Sequence, residues 1–123
     1  MNQRVVEING KKLTLTERPA SDVQDVFDYY ERYGDEEKSN FKISVRIAVL
    51  VTVQSLRATR RNIPIYLFWK KLRYLKYTVK YLAKEVSPHA LFAYQAVVME
   101  LDELNKKKVE AEEKESPGSS ASS

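Results

Sequence analysis

Phe41-Lys-Ile-Ser-Val-Arg-Ile-Ala-Val-Leu-Val-Thr-Val-Gln-Ser-Leu56 is the stretch on which the fold turns. Phe41, Ile43, Val45, Ile47, Val49, Val51 and Val53 alternate with the period of a strand, and their β-branching favours one. Read with the helical period, Ile43, Ile47, Leu50 and Val51 share one face. An alternating run of about 13 residues exceeds the usual strand length, and Ser39-Asn40 just before it offers two N-cap residues. The stretch is therefore read as a buried helix over 41–57, with a strand as the alternative. The helical reading makes the chain mainly α, an α+β domain with one small hairpin, whereas the other would make it a sheet protein.

Upstream, Arg4 to Thr16 reads as a hairpin over 3–16, because Asn9-Gly10 supplies the two positive-φ residues of a type I′ turn. Opposed residues then sum to 19, which pairs Val6 with Leu13 and puts Val6, Ile8, Leu13 and Leu15 on one face. On the other face Glu7 opposes Lys12 and Val5 opposes Thr14. After Pro19, Ser21-Asp-Val-Gln24 has the form of a capping box. Val23, Val26, Phe27, Tyr30 and Tyr33 follow at helical spacing up to Gly34, a suitable C′ residue, so a first helix is expected near 22–33 with an acidic outer face of Asp22, Asp25, Asp28 and Glu31. Asp35 to Asn40 reads as the loop that follows.

Downstream of the deciding stretch, Ile65, Phe68, Leu72, Leu75, Val79, Leu82 and Val86 repeat at alternating three and four residues after Pro64. This predicts a helix over 64–86 with a coiled-coil-like seam. Ser87-Pro88 ends it and starts another over 88–106, striped by Ala90, Tyr94, Val97, Leu101 and Leu104. From 109 to 123 low hydrophobicity and a Ser/Gly/Pro ending predict a disordered tail, so the expected globular domain is 1–108. A chain of 123 residues with 43% hydrophobic content holds one such domain and not two.

Between Arg57 and Lys84 stand nine Lys or Arg, no Asp or Glu, and six aromatics, Tyr66, Phe68, Trp69, Tyr74, Tyr77 and Tyr81. Residues 1–40 hold 6 basic against 9 acidic side chains and residues 85–123 hold 4 against 8, so the net +4 conceals a basic aromatic centre between acidic ends. Such a segment suits an acidic protein surface, a phosphate backbone, an anionic lipid surface or the chain's own acidic flanks. If 64–86 is one helix, Tyr66, Trp69, Lys70, Arg73, Tyr77 and Lys80 lie on a flank suited to partner binding. The seam Ile65, Phe68, Leu72, Leu75, Val79 and Leu82 is longer than a small core covers, which favours a homo-oligomer. The alternative is a small nucleic-acid-binding module using Arg57, Arg60, Arg61, Lys70, Lys71, Arg73 and Trp69, with bases stacked on aromatics.

Chemistry-bearing motifs are sparse. Without cysteine there is no disulfide framework, zinc finger or thiol nucleophile. The single histidine, His89, has no ligand partner at metal-site spacing, and three glycines do not make a phosphate loop. No metal, cofactor or enzymatic activity is expected. Glu7 and Asn9 interrupt any signal-peptide core, and Ile43 to Val53 is too short to span a bilayer, so a protein without membrane association is expected.

The hairpin Ile8-Asn-Gly-Lys-Lys-Leu-Thr-Leu15, followed by Arg18-Pro-Ala-Ser-Asp-Val23 opening a helix, resembles the start of the small tail assembly chaperones of long-tailed bacteriophages. Leu82-Ala-Lys-Glu-Val-Ser-Pro-His-Ala-Leu91, with Ala96-Val-Val-Met-Glu-Leu101 and Glu103-Leu-Asn105, is similar to the last helices of that family. The two patches cover under half of the chain. Its middle departs, since Arg57-Ala-Thr-Arg-Arg-Asn62 is basic where members of the family often carry an acidic Asp-Glu-Asp-Gly-like turn. The resemblance implies a non-enzymatic role in the cytoplasm of an infected bacterium: binding the tape measure protein, keeping it soluble and helping to recruit the tail-tube protein. In that family a longer form made by ribosomal frameshifting is common, and an adenine run is one way to encode Lys106-Lys107-Lys108, which the protein sequence does not show.

Overall fold

The computed structural model describes residues 2–33 and 40–115. Strands β1 (Gln3–Ile8) and β2 (Lys11–Thr16) form an antiparallel hairpin. Helices α1 (Ala20–Tyr33), α2 (Asn40–Asn62), α3 (Phe68–Leu72), α4 (Val79–Glu85) and α5 (Pro88–Glu115) follow, with a 3₁₀ turn at Ile65–Leu67 leading into α3. The fold is mainly helical, with the hairpin packed on helices.

The hairpin is as the turn arithmetic requires. Val6 pairs with Leu13 and Glu7 with Lys12, and the turn residues Asn9 (φ 49°) and Gly10 (φ 81°) are both left-handed. Ile8, Leu13 and Leu15 are fully buried and Val6 is half-buried against them. The outward backbone groups of β2 are met by side chains. Ser55 Oγ accepts from Thr16 N at 2.8 Å and donates to Thr16 O at 2.7 Å. Thr59 Oγ1 donates to Thr14 O at 2.7 Å, and the Tyr74 hydroxyl accepts from Thr14 N at 3.0 Å. Ser55 and Thr59 stand one turn apart on α2, so a single helix face supplies both partners that a buried strand edge demands.

The deciding stretch is helical and longer than 41–57. α2 is the central element, in contact with α5, β2, α1, α4 and α3, and it buries Ala48, Val49, Val51, Thr52, Val53, Ser55, Leu56, Ala58 and Thr59. A helix covered on several sides is apolar nearly all round, which is why its valines also satisfy a strand period. The buried hydroxyl of Thr52 is satisfied by its own helix, donating to Ala48 O at 2.7 Å.

Three expectations are corrected. The helix over 64–86 is not continuous, because residues 73–78 leave the helical path and Thr78 starts α4 afresh, its Oγ1 accepting from Tyr81 N at 3.2 Å. The break lets Tyr74 reach the hairpin edge and lets Tyr77 enter the core, at 3% exposure. Ser21 does not head a capping box: α1 begins one residue earlier, and Gln24 Nε2 donates forward to Asp28 at 3.0 Å. α5 continues to Glu115, past the start of the tail expected from 109, because Lys106-Lys-Lys-Val-Glu-Ala-Glu-Glu-Lys-Glu115 consists largely of good helix formers. Residues 116–123, Gly34 and the loop through Ser39 lie outside the described residues.

A candidate docking arm and two cavities

Leaving α2, the chain runs through Pro64 into a short arm that makes few contacts with the rest of the molecule. Along it Ile65 is 84% exposed, Tyr66 72%, Phe68 58%, Trp69 56%, Leu72 53% and Leu75 50%. Six large apolar side chains within eleven residues are thus at least half in water, where ordinary surfaces carry such residues singly. Lys70, Arg73 and Lys76 are exposed among them. Phe68 and Trp69 meet edge to face, with ring centroids 6.1 Å apart.

The break at 73–78 divides the two candidate residue sets. Tyr66, Trp69, Lys70 and Arg73 remain together on the arm, whereas Lys80 is exposed on α4 beyond the turn. Tyr77 is not a flank residue at all. It is a core residue, stacked edge to face on Tyr81 at 5.3 Å, with Lys76 Nζ 5.3 Å from its ring centroid. The seam divides in the same place. Ile65, Phe68, Leu72 and Leu75 are exposed, while Val79 is half-buried against the core and Leu82 is fully buried in it. A seam read along one helix is therefore an exposed half and a core half.

A groove of about 770 Å³ between α1, α2 and α5 is walled by Val23, Val26, Phe27, Tyr30, Ile47 and Met99. Periodicity marks Phe27 and Tyr30 as inward-facing, yet they are 59% and 57% exposed, because α1 packs on α2 and buries none of its residues fully. Beneath this groove lies an ion pair that no sequence pattern announces. Arg18 Nε and Nη2 donate to Asp102 Oδ2 at 2.9 and 2.8 Å, Arg18 N donates to Oδ1 at 2.8 Å, and Nη1 donates to Gln54 Oε1 at 3.0 Å. The pair joins the β2–α1 junction to α5 and α2.

A second cavity, about 480 Å³, lies between the last turns of α2 and the 73–78 turn, with Arg57, Arg60, Arg61, Tyr74, Tyr77 and Asp22 among its lining residues. Elsewhere the exposed pair of Arg4 and Glu100 ties β1 to α5 at 2.9 Å, and the hydrogen bond and charge of each push the Glu100 carboxyl below and the Arg4 guanidinium above their ordinary pKa values. Burial, then the nearby Glu7 charge, raise the pKa of Tyr94, whose hydroxyl donates to Glu7 O at 2.6 Å.

Among the described residues no group of three or more His, Cys, Asp or Glu is placed to hold a metal ion, and His89 is exposed in the first turn of α5. No helix among the described residues is long and apolar enough to cross a membrane. No protein-family model, no curated protein and no solved structure matches this chain.

Proposed function

We propose that the chain is a non-enzymatic assembly chaperone that captures amphipathic helical segments of an elongated partner on the arm. In the terms of the tail-chaperone resemblance, that partner is the tape measure protein, and tail-tube subunits are recruited to the complex. The exposed arm is the observation that carries the reading. Ile65, Tyr66, Phe68, Trp69, Leu72 and Leu75 present apolar and aromatic area to water, and burying each such side chain is worth about 1.5–3 kcal/mol. Trp and Tyr supply rigid contact surface of the kind that dominates binding hot spots. The cations on the arm suit a partner helix with an acidic flank, and they speed encounter more than they add affinity. Without a partner, Ile65, Phe68, Leu72 and Leu75 favour a homo-oligomer.

Co-expression with the tape measure protein tests this directly. The wild-type chain should keep that protein soluble, and Trp69→Ala and Phe68→Ala should each reduce the soluble fraction while leaving the chaperone folded. A soluble fraction untouched by both substitutions would rule the arm out. Nucleic-acid binding is the second reading, favoured by Trp69 and Tyr66 being exposed beside Lys70 and Arg73. It demands oligonucleotide affinity that falls steeply with salt.

A further inference from the structure

We infer that the cavity between the end of α2 and the 73–78 turn is a binding site for a phosphate-class oxyanion, of the size and charge of pyrophosphate. Arg57, Arg60 and Arg61 are spaced i, i+3 and i+4, which sets all three guanidinium groups on one side of α2. All three line the same cavity, as do Tyr77 and Asp22. Cations near a helix C-terminus are favoured by the helix dipole, but that alone does not explain their enclosure of an open volume. The guanidinium groups of Arg57 and Arg60 make no hydrogen bond or ion pair among the described residues, and that of Arg61 makes a long one, 3.4 Å to Asp22 Oδ2.

Counting the single Asp22 carboxylate against three guanidiniums leaves a net charge of +2 around the cavity. Guanidinium forks match phosphate oxygens two at a time, which ammonium groups do not. A second observation is independent of the arginines. The Tyr77 hydroxyl is a buried polar group with no hydrogen-bond partner among the described residues, on a side chain that forms part of the cavity wall. Buried hydroxyls are ordinarily partnered, and an oxyanion oxygen seated against that wall would supply an acceptor. The other hydroxyls of the lining, Tyr74 and Thr78, accept from Thr14 N and Tyr81 N, and each keeps a proton that an oxyanion oxygen would accept. The site adjoins the arm at Leu75, but its charge comes from α2, and it does not depend on the chaperone reading.

Calorimetric titration of the full chain with inorganic pyrophosphate at fixed ionic strength tests the assignment. One saturable site per chain is expected, weakened about tenfold or more by Arg57→Gln and by Arg60→Gln. A Lys70→Gln/Lys71→Gln variant should change affinity less than about twofold, since those cations stand on the arm. Tyr77→Phe separates a ligand role from a structural one. It should weaken pyrophosphate severalfold while leaving the unliganded protein at least as heat-stable, because it deletes an unpartnered hydroxyl and nothing else. Competition by a short single-stranded oligonucleotide identifies the source: displacement at lower concentration than free pyrophosphate means a phosphodiester backbone, and no displacement means a free phosphate compound. The absence of a saturable site, an equal loss in the Lys70/Lys71 variant, or unchanged affinity in Tyr77→Phe would each overturn the proposal. Trp69→Ala, which tests the arm, should leave pyrophosphate binding intact.

Discussion

Removing one partner of the Arg18–Asp102 pair should be among the most destabilising single changes in the molecule. The Arg18 side chain is 3% exposed and that of Asp102 19%. Asp102→Ala deletes the acceptor of three hydrogen bonds, from Arg18 N, Nε and Nη2. The guanidinium would be left buried with Gln54 Oε1 and a 3.6 Å contact to Met99 Sδ. An uncompensated buried charge of this kind costs about 3–5 kcal/mol, against a total stability of roughly 5–15 kcal/mol for an ordinary domain. Urea unfolding followed by circular dichroism should show the midpoint falling by that energy divided by the unchanged slope, and the melting temperature should drop by roughly 10–20 °C. Replacing both members with apolar residues of similar volume, Arg18→Met with Asp102→Leu, should recover most of the loss, because neither buried charge then remains. If Asp102→Ala alone costs less than about 1 kcal/mol, the pair is not buried in solution and the coupling of the β2–α1 junction to α5 is misjudged.

Ser55→Ala and Thr59→Val should each cost about 1–3 kcal/mol in denaturant melts, since each leaves backbone groups of β2 unpaired in a buried place; near-neutral values would mean that water replaces the hydroxyls. Trp69→Ala should change stability by no more than about 0.5 kcal/mol, as expected of an exposed side chain, and a large loss in thermal melts would show Trp69 to be core. The Glu100 carboxyl, held low by Arg4, contributes stability that is present above the ordinary carboxylate range and lost as pH falls through its lowered folded value. A carboxyl NMR titration should place Glu100 lower in the wild type than in Arg4→Gln. Gly10→Val should destabilise the hairpin by backbone strain alone, because φ is +81° while the space a side chain would enter is open; amide exchange across Val6–Leu13 should quicken.

The hairpin is legible because turn chemistry, register and face all give one answer at Asn9-Gly10. α2 is legible only as a choice between two periods, decided for the helix by length and capping. Its central position, which no local signal encodes, explains why both periods are present. The break at 73–78 is hidden for a different reason: the spacing from Ile65 to Val86 carries straight through it, and no Gly or Pro interrupts Leu72-Arg-Tyr-Leu-Lys-Tyr-Thr78. What the helix gives up there is outweighed by a hydrogen bond from the hairpin edge to Tyr74 and burial of Tyr77, both tertiary gains. Thr78 three residues before Tyr81 is the one local cue, a cap without the rest of the box. At the docking arm, residue types point to an exposed aromatic stretch, and Tyr66, Trp69, Lys70 and Arg73 do stand together there. Tyr77 and Leu82 are misplaced by the same reading because a helical wheel has no meaning across a broken helix. Arg18 and Asp102 are 84 residues apart, and nothing in their own neighbourhoods announces the pair.

A two-stranded ribbon ordinarily invites a third strand, and many peptide-binding domains recruit their targets by letting them extend a sheet. Here that route is shut along β2, whose Thr14 and Thr16 backbone groups are already occupied by Ser55, Thr59 and Tyr74. The opposite margin is less guarded: Tyr94 covers Glu7 O, while Gln3 and Val5 are exposed. An extended peptide would therefore have only the short run Gln3–Val5 to template on, too little for a firm grip. The hairpin thus offers little free backbone to an added strand, and the largest surface the chain presents to water is made of side chains, those of Ile65, Tyr66, Phe68, Trp69, Leu72 and Leu75.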